Sequence, residues 1–365
     1  MRVVIAAGGT AGHVNPALAL AEALEGCDVT FLGTATGAEA TLVPAAGWPL
    51  EQVEIRGWDR ARPLSLVPTG LLAARAVLEA RALLRRLLPD VVVGMGGYVS
   101  LPACVAARAA RAPVVLHEQN IVFGLAHRVC KPLASAVAVS FEASLADAGP
   151  RGVWVGNPVR AEIARADHAA ERARALQRFA LDGARKTLLV FGGSQGAGRI
   201  NDVAFDLARL WARHPGLQIV HITGAARPSS SGPVEAPDLR DGLIYRSVPF
   251  VDRMIEAYAV ADLALCRGGA TTVAELAAVG LPAVIVPYPH HRDRQQERHA
   301  RLMESAGAAA VVPDSEATAE RIAAKAGRLL ANGDRLGRMR AAAAALGAPE
   351  AAPRLATVVL QAAAR

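Results

Sequence analysis

At 365 residues the chain is too long for one ordinary domain and suits two of about 180 each. Its 52% apolar and 20% charged residues exclude a disordered chain, and four cysteines without a CxxC pair argue against a zinc module or disulfide scaffold and fit a reducing cytoplasm. A formal charge of +7, nearly all of it from arginine, fits either a biased base composition or an anionic partner, while four Tyr, seven Phe and four Trp leave little surface for stacking bases, so nucleic acid is not expected.

The chain opens MRVVIAAGGT, without the basic segment and long apolar run of a signal peptide, and no stretch is long and apolar enough to predict a membrane-spanning helix. Strands are predicted at 2–7, 28–32, 91–93, 114–117, 136–139 and 153–155. The rhythm then restarts at 187–191, 218–223, 243–247, 263–266, 283–287 and 308–312. These runs of Val, Ile and Leu lack polar alternation, so they predict parallel strands covered by helices on both faces. Both halves begin with a strand running into a glycine-rich turn and a helix, at Gly8-Gly-Thr-Ala-Gly12 and at Gly192-Gly-Ser-Gln-Gly196. The expected architecture is therefore α/β, with two Rossmann-like doubly wound domains. The boundaries are placed at 1–158 and 159–345, with a linker near 156–160 where Asn-Pro breaks the pattern; residues 226–240 read as a loop. A last helix within 346–365 has an apolar face that can pack back on the N-terminal domain.

Neither turn is GxGxxG or a P-loop, so nothing specifies a dinucleotide. Such turns serve tight strand–helix packing as readily as they hold an anion at a helix N-terminus. Two in equivalent places favour the ligand reading, with crevices facing one interdomain cleft. Two further glycine clusters follow strands, Gly94-Met-Gly-Gly-Tyr98 and Cys266-Arg-Gly-Gly-Ala270. Glu275 lies beyond capping range of its helix start and, taken alone, reads as a solvated face. His117-Glu-Gln-Asn120 puts four polar residues at a strand's carboxyl end, where they either meet a ligand or tie loops together. His13 starts the first helix, where the positive helix end disfavours imidazolium and keeps a neutral base available.

Eight segments in order give these features a common context: GGTAGHVNPALALA at 8–21, GMGGYVSLPA at 94–103, HEQN at 117–120, GNPVR at 156–160, FGGSQGA at 191–197, CRGGATTVAEL at 266–276, GLPAVIVPYPHH at 280–291 and RQQ at 294–296. Together they resemble the MurG family of UDP-N-acetylglucosamine-dependent transferases, which convert lipid I to lipid II in bacterial peptidoglycan synthesis. The resemblance implies a GT-B fold with the donor lying mainly against the C-terminal domain. It implies that Ser194 and its glycine loop hold the diphosphate, and that Ala270, Thr271, Thr272, Val273, Ala274 and Glu275 hold the nucleotide and sugar, Glu275 accepting from ribose hydroxyls. Val251 would lie by the uracil, and Gln296, helped by Gln295, would bond hydroxyls of the sugar. Arg160 and Asn120 match donor-contacting positions, Thr10, Ala11 and Gly12 approach the donor as the cleft closes, and Tyr98, His117 and Glu118 fall on the acceptor side. Three departures from the family pattern stand out. Gly268 replaces a small Ser or Ala, expected to be tolerated because size is kept; His299 replaces a frequent Asn and would alter a sugar contact; and the loop Pro289-His-His-Arg-Asp-Arg294 is unusually basic.

The implied reaction is inverting transfer of GlcNAc to the 4-hydroxyl of MurNAc in lipid I, with UDP released. It needs a general base, for which His13 is the leading candidate and Glu118 the second. Helix dipole, glycine loop and Arg160 would neutralise the leaving diphosphate, so no metal or other cofactor is expected. Because the acceptor is membrane-bound, the enzyme is expected on the cytoplasmic face of the cell membrane, as a peripheral protein. Residues 56–88, with seven Arg against two acids among leucines, would meet anionic lipid, unless those leucines simply face the core. A UDP-GlcNAc 2-epimerase of the same architecture and a non-catalytic nucleotide-sugar sensor are the competing readings.

Overall fold

The computed structural model describes residues 1–55, 66–193, 196–224, 242–290 and 293–364, with the side chains of 66–71 outside the description. The expected loop at 226–240, Ser194, the segment 56–65, and His291 and Arg292 of the basic loop therefore lie outside the described residues. The chain divides into two compact units, 1–160 with 348–365, and 161–347.

The first unit runs β1 (Arg2–Ala6), α1 (Ala11–Ala23), β2 (Asp28–Gly33), α2 (Glu39–Ala45), β3 (Leu50–Gln52), α3 (Leu66–Leu87), β4 (Val91–Gly94), α4 (Ser100–Ala109), β5 (Val114–Glu118), α5 (Leu125–Cys130), β6 (Ala136–Val139), α6 (Leu145–Ala148) and β7 (Gly152–Trp154). Its sheet has the order β3-β2-β1-β4-β5-β6-β7, every pair parallel. The period-2 geometry of a strand divides each apolar run between two cores. Val3 and Ile5 of β1 join Val14 and Leu18 of α1, while Val4 and Ala6 join Ala76 and Ala80 of α3 and Ala103 of α4. Each buried Val, Leu or Ile of this kind contributes about 1.5–3 kcal/mol, and each alanine methyl less, about 0.8 kcal/mol.

The second unit runs α7 (Ala161–Ala164), α8 (His168–Arg178), β8 (Lys186–Phe191), α9 (Gly198–Leu210), β9 (Leu217–Ile222), β10 (Ile244–Val248), α10 (Met254–Val260), β11 (Leu263–Cys266), α11 (Ala270–Ala278), β12 (Ala283–Ile285), α12 (Gln295–Ser305), β13 (Ala309–Val311), α13 (Ala319–Leu330) and α14 (Gly333–Leu346). The order β10-β9-β8-β11-β12-β13 is again all parallel. Leu188, Val190, Leu263 and Leu265 pack under Ile200 and Leu207 of α9 and Ile322 and Leu329 of α13. The final helix, α15 (Ala351–Ala363), belongs to the first unit, where Leu355, Ala356 and Val359 enter the core shared by β1 and α1.

Both sheets reverse their strand order at one place, between β1 and β4 and between β8 and β11. The loops that leave the carboxyl ends of these four strands are the four glycine clusters, and such reversals are where open α/β sheets bind ligands. The predicted strands hold to within a residue or two at their ends. The three-residue β3 escapes prediction because Leu-Glu-Gln at a sheet edge has no apolar run.

Candidate active site

In the first unit the loops after β1 and β4 are locked together. Met95 donates its backbone N–H to Ala6 at 2.9 Å, and Ser100 Oγ bonds the Gly96 carbonyl at 2.7 Å. Gly97 has φ of 73°, and a β-carbon there would lie 2.3 Å from the Gly8 carbonyl oxygen. Gly97→Ala is therefore expected to destabilise the protein by about 1–3 kcal/mol through overpacking and left-handed strain. Urea unfolding checks this, and an unchanged midpoint would show that the two loops are not interlocked.

Glu39, fully buried at the start of α2, supports the same turn. It accepts from Gly9 N at 2.9 Å with one oxygen, and from Thr34 N and Thr34 Oγ1 at 2.9 and 2.7 Å with the other. The sequence reading missed it, because a lone acid in Gly-Ala-Glu-Ala carries no motif.

The turn delivers His13 on the first turn of α1, half-buried. Its Nδ1 lies 3.3 Å from Thr10 Oγ1. A β-carbon on Gly96 would sit 2.8 Å from His13 Cδ2 and 3.2 Å from its Nε2, so the ring edge rests on that glycine. Burial lowers the pKa of His13 below the ordinary value for histidine, opposed by the charge of Glu118 and assisted by that of His127. The ring is neutral near pH 7 and able to accept a proton. Tyr98, half-buried, lies over Gly9.

Glu118 is only 2% exposed, and its oxygens are heavily occupied. One accepts from Asn120 N and Nδ2 at 3.0 and 3.1 Å, the other from Gly124 N at 2.9 Å and His127 Nδ1 at 2.8 Å. Burial alone would raise its pKa, but the His127 charge and these hydrogen bonds bring it down to about 2. His127 is raised in turn, its own desolvation overcome by Glu118, and its Nε2 lies 3.2 Å from the Gly94 carbonyl. A carboxylate so strongly satisfied is a weak base; Glu118 instead organises the 120–124 turn, including Asn120. His127 escaped the sequence reading because a single His in a short helix signals nothing by itself.

His117 is 0% exposed, and its Nε2 lies 3.1 Å from the Gly156 carbonyl and 3.4 Å from Ser140 Oγ. Burial drives its pKa down to about 4, leaving it neutral. Arg160, at the end of this unit, pairs through Nε with Glu22 of α1 at 2.9 Å.

In the second unit, Gly193 and Gly196 have positive φ, and Gly196 N bonds Gly193 O at 2.9 Å ahead of α9. Ala197 at the helix N-cap offers no side-chain oxygen, and the first turn of α9 holds no acid, so its N–H groups form a ready anion site. Behind it Asn201 donates to the Thr223 carbonyl at 3.0 Å and lies 3.1 Å from His221 Nε2.

After β11, a β-carbon on Gly268 would lie 2.4 Å from the Gln296 carbonyl oxygen, so the loop and α12 approach as closely as glycine permits. The close approach lets Gln296 Oε1 accept from Gly268 N at 3.2 Å and Tyr288 N at 3.0 Å. His299 is 1% exposed with Nδ1 3.0 Å from the Gly268 carbonyl, so it supports this loop from α12. Gln295 donates through Nε2 to Asp293 at 2.8 Å.

On α11, Thr271, Thr272 and Ala274 are half-buried, whereas Ala270 and Val273 are turned into the core, which leaves those two only backbone groups to offer a ligand. Val251 is likewise 2% exposed. Glu275 is no solvated face: it is 9% exposed and accepts from Tyr258 Oη at 2.7 Å. Burial pushes its pKa up to about 7 against the lowering effect of that hydrogen bond. Among the described residues no cluster of three or more His, Cys, Asp or Glu is placed to hold a metal ion.

The chain matches the glycosyltransferase family 28 N-terminal domain over residues 3–139 and the glycosyltransferase family 28 C-terminal domain over 187–355. It is 44% identical to the UDP-N-acetylglucosamine–N-acetylmuramyl-(pentapeptide) pyrophosphoryl-undecaprenol N-acetylglucosamine transferase of Nocardioides sp., covering 99% of this chain and 98% of that one. It is 43% identical to the protein of the same name from Mycobacterium avium, covering 98% of this chain and 88% of that one. The crystal structure of MurG from Acinetobacter baumannii aligns with a TM-score of 0.74 at 30% identity over 99% of both chains. The fold is GT-B, and the chain belongs to glycosyltransferase family 28, among the UDP-N-acetylglucosamine–N-acetylmuramyl-(pentapeptide) pyrophosphoryl-undecaprenol N-acetylglucosamine transferases.

Proposed function

We propose that this enzyme moves GlcNAc from UDP-GlcNAc to the 4-hydroxyl of MurNAc in lipid I, with inversion, yielding lipid II and UDP. One observation carries the division of labour: in each unit two glycine loops meet where the strand order reverses, His13 standing at one reversal and Glu275 behind the other. The second unit holds the donor. The glycine loop and the N-terminus of α9 take the diphosphate, Thr271 and Thr272 the nucleotide and sugar, Glu275 the ribose, Gln296 a sugar hydroxyl through its amide nitrogen, and the Val251 backbone the uracil edge. The first unit supplies the base. His13 withdraws the proton from the acceptor hydroxyl as its oxygen attacks the anomeric carbon, and the bond to UDP breaks on the opposite face. The negative charge that develops on the diphosphate is met by backbone N–H groups and Arg160. UDP-GlcNAc supplied without lipid acceptor separates this enzyme from a 2-epimerase: the transferase leaves the sugar nucleotide unchanged, whereas appearance of UDP-ManNAc would contradict the reading.

No helix among the described residues is long and apolar enough to cross a membrane. We propose that α3 brings the enzyme to the cytoplasmic leaflet. Ala76, Ala80 and Leu84 face the core, which accounts for part of the apolar pattern, but Leu78 is 65% and Leu88 58% exposed. Arg75 pairs with Glu54 and Glu79 and Arg86 with Glu51, so Arg81 and Arg85 carry most of the uncompensated charge of this helix. Replacing Arg75, Arg81, Arg85 and Arg86 with Gln should weaken binding to anionic vesicles and flatten its salt dependence, at about 1 kcal/mol or less per residue. Turnover of a short-chain, detergent-soluble acceptor should barely change. Unaltered vesicle binding would reduce these arginines to a solvated face.

A further inference from the structure

The donor unit contains a buried hydroxyl to which the scheme above gives no role. Tyr258, on α10, is 3% exposed, and its ring packs edge-on against Phe191, the last residue of β8 before the glycine loop. Its Oη donates to Glu275 Oε2 at 2.7 Å. A buried phenol needs an acceptor, but a backbone carbonyl would serve. Here it meets a carboxylate across 17 positions of sequence, in a setting where both partners are desolvated.

A carboxylate has about four lone-pair sites, and Tyr258 occupies one, on Oε2. Resting on the reading of Glu275 as the ribose-binding group, we propose that Tyr258 is a positioning residue for the donor: its hydroxyl fixes the orientation of the Glu275 carboxylate and favours its ionised form, so that Oε1 is presented to the paired ribose hydroxyls. The electrostatic surroundings make that support necessary. Burial and the like charge of Glu162 on α7 both favour the protonated acid, and the Tyr258 hydrogen bond opposes them. Cys266 of β11, which bears on Tyr258, is pushed up to about 12 by burial and stays neutral. Of the other helices packed on α11, α12 brings His299, with Nδ1 at the Gly268 carbonyl, and α14 brings Arg340, paired with Asp262 at 3.1 Å. With the hydroxyl deleted, Glu275 would titrate at higher pH, so the acid form would dominate near pH 7 and the carboxylate would return only in alkaline solution.

The test is UDP affinity by calorimetry between about pH 6 and pH 9 for wild type, Tyr258→Phe, Glu275→Gln and the double variant. Affinity is taken as a ratio to wild type at each pH, so that titration of UDP itself cancels. Tyr258→Phe should weaken UDP by about tenfold or more near pH 7, as for the loss of one hydrogen bond to a charged group, and should return to within about twofold of wild type at pH 9. That alkaline recovery also certifies that the variant is folded. In the Glu275→Gln background the Tyr258 change should add nothing. A penalty equal at every pH, no penalty at all, or one that persists in the Glu275→Gln background would overturn the positioning role. Wild-type affinity in Glu275→Gln itself would instead remove the ribose assignment on which the proposal rests.

Discussion

His13→Ala is expected to lower kcat by about 10²–10⁴-fold, the usual contribution of general-base assistance. The KM for UDP-GlcNAc should stay within a few-fold of wild type, because the interaction lost belongs to the transition state. The ring sits on the first turn of α1 against Gly96, where burial and the helix end both disfavour imidazolium. Its pKa is lowered, so the base form predominates at neutral pH and is lost as the pH falls below the ordinary histidine value. The acidic limb of the kcat/KM profile should therefore disappear with the side chain. Were His13 only a loop cap or a donor contact, KM would rise, kcat would fall less than tenfold and the acidic limb would remain. Glu118 is the alternative such a result would revive, although its held-down pKa of about 2 and its contacts to Gly124, Asn120 and His127 suit it to support and not to proton transfer.

Glu275→Ala is expected to raise the UDP-GlcNAc KM by tenfold or more, since charge-assisted hydrogen bonds to the ribose are worth about 1.5–3 kcal/mol. The same substitution leaves Tyr258 Oη buried without its acceptor, so some loss of stability should accompany it. Glu275→Gln retains an acceptor and separates the two effects. Its donor KM should still rise while its melting temperature stays close to wild type. Because the Glu275 pKa is raised to about 7, donor affinity in the wild type should fall as the pH drops through that value, the carboxylate being the binding form. A donor KM unchanged in both variants would remove Glu275 from the site.

The sheets and the glycine loops were legible in the sequence because strands buried on both faces leave unbroken Val/Ile/Leu runs, four of which lead into glycine clusters. What the runs did not reveal is that the four clusters fall in two pairs, since pairing depends on strand order. Long-range supports were invisible for the same reason. Glu39 reaches Gly9 across 30 positions and His299 reaches Gly268 across 31, and neither carries a local pattern. His117 and Glu118 were read correctly as polar groups at a strand end, yet burial turned the first inward onto Gly156 and spent the second on a turn. Glu275 looked like a solvated face because helix position alone does not say which side of α11 is covered, and the Tyr258 hydroxyl that covers it comes from another helix. The approach of Gln296 to the Gly268 α-carbon is a tertiary fact that no local pattern announces.

The most direct test of the central claim is a single incubation with UDP-GlcNAc and a soluble lipid I analogue, in which UDP and glycosylated lipid are quantified together. UDP and glycolipid are expected in equal amounts with a β linkage, neither forming when the acceptor is omitted, while His13→Ala at the same concentration forms both at an initial rate about a hundredth or less of wild type. Release of UDP without glycolipid, or binding of UDP-GlcNAc with no product in the presence of the acceptor, would contradict that claim.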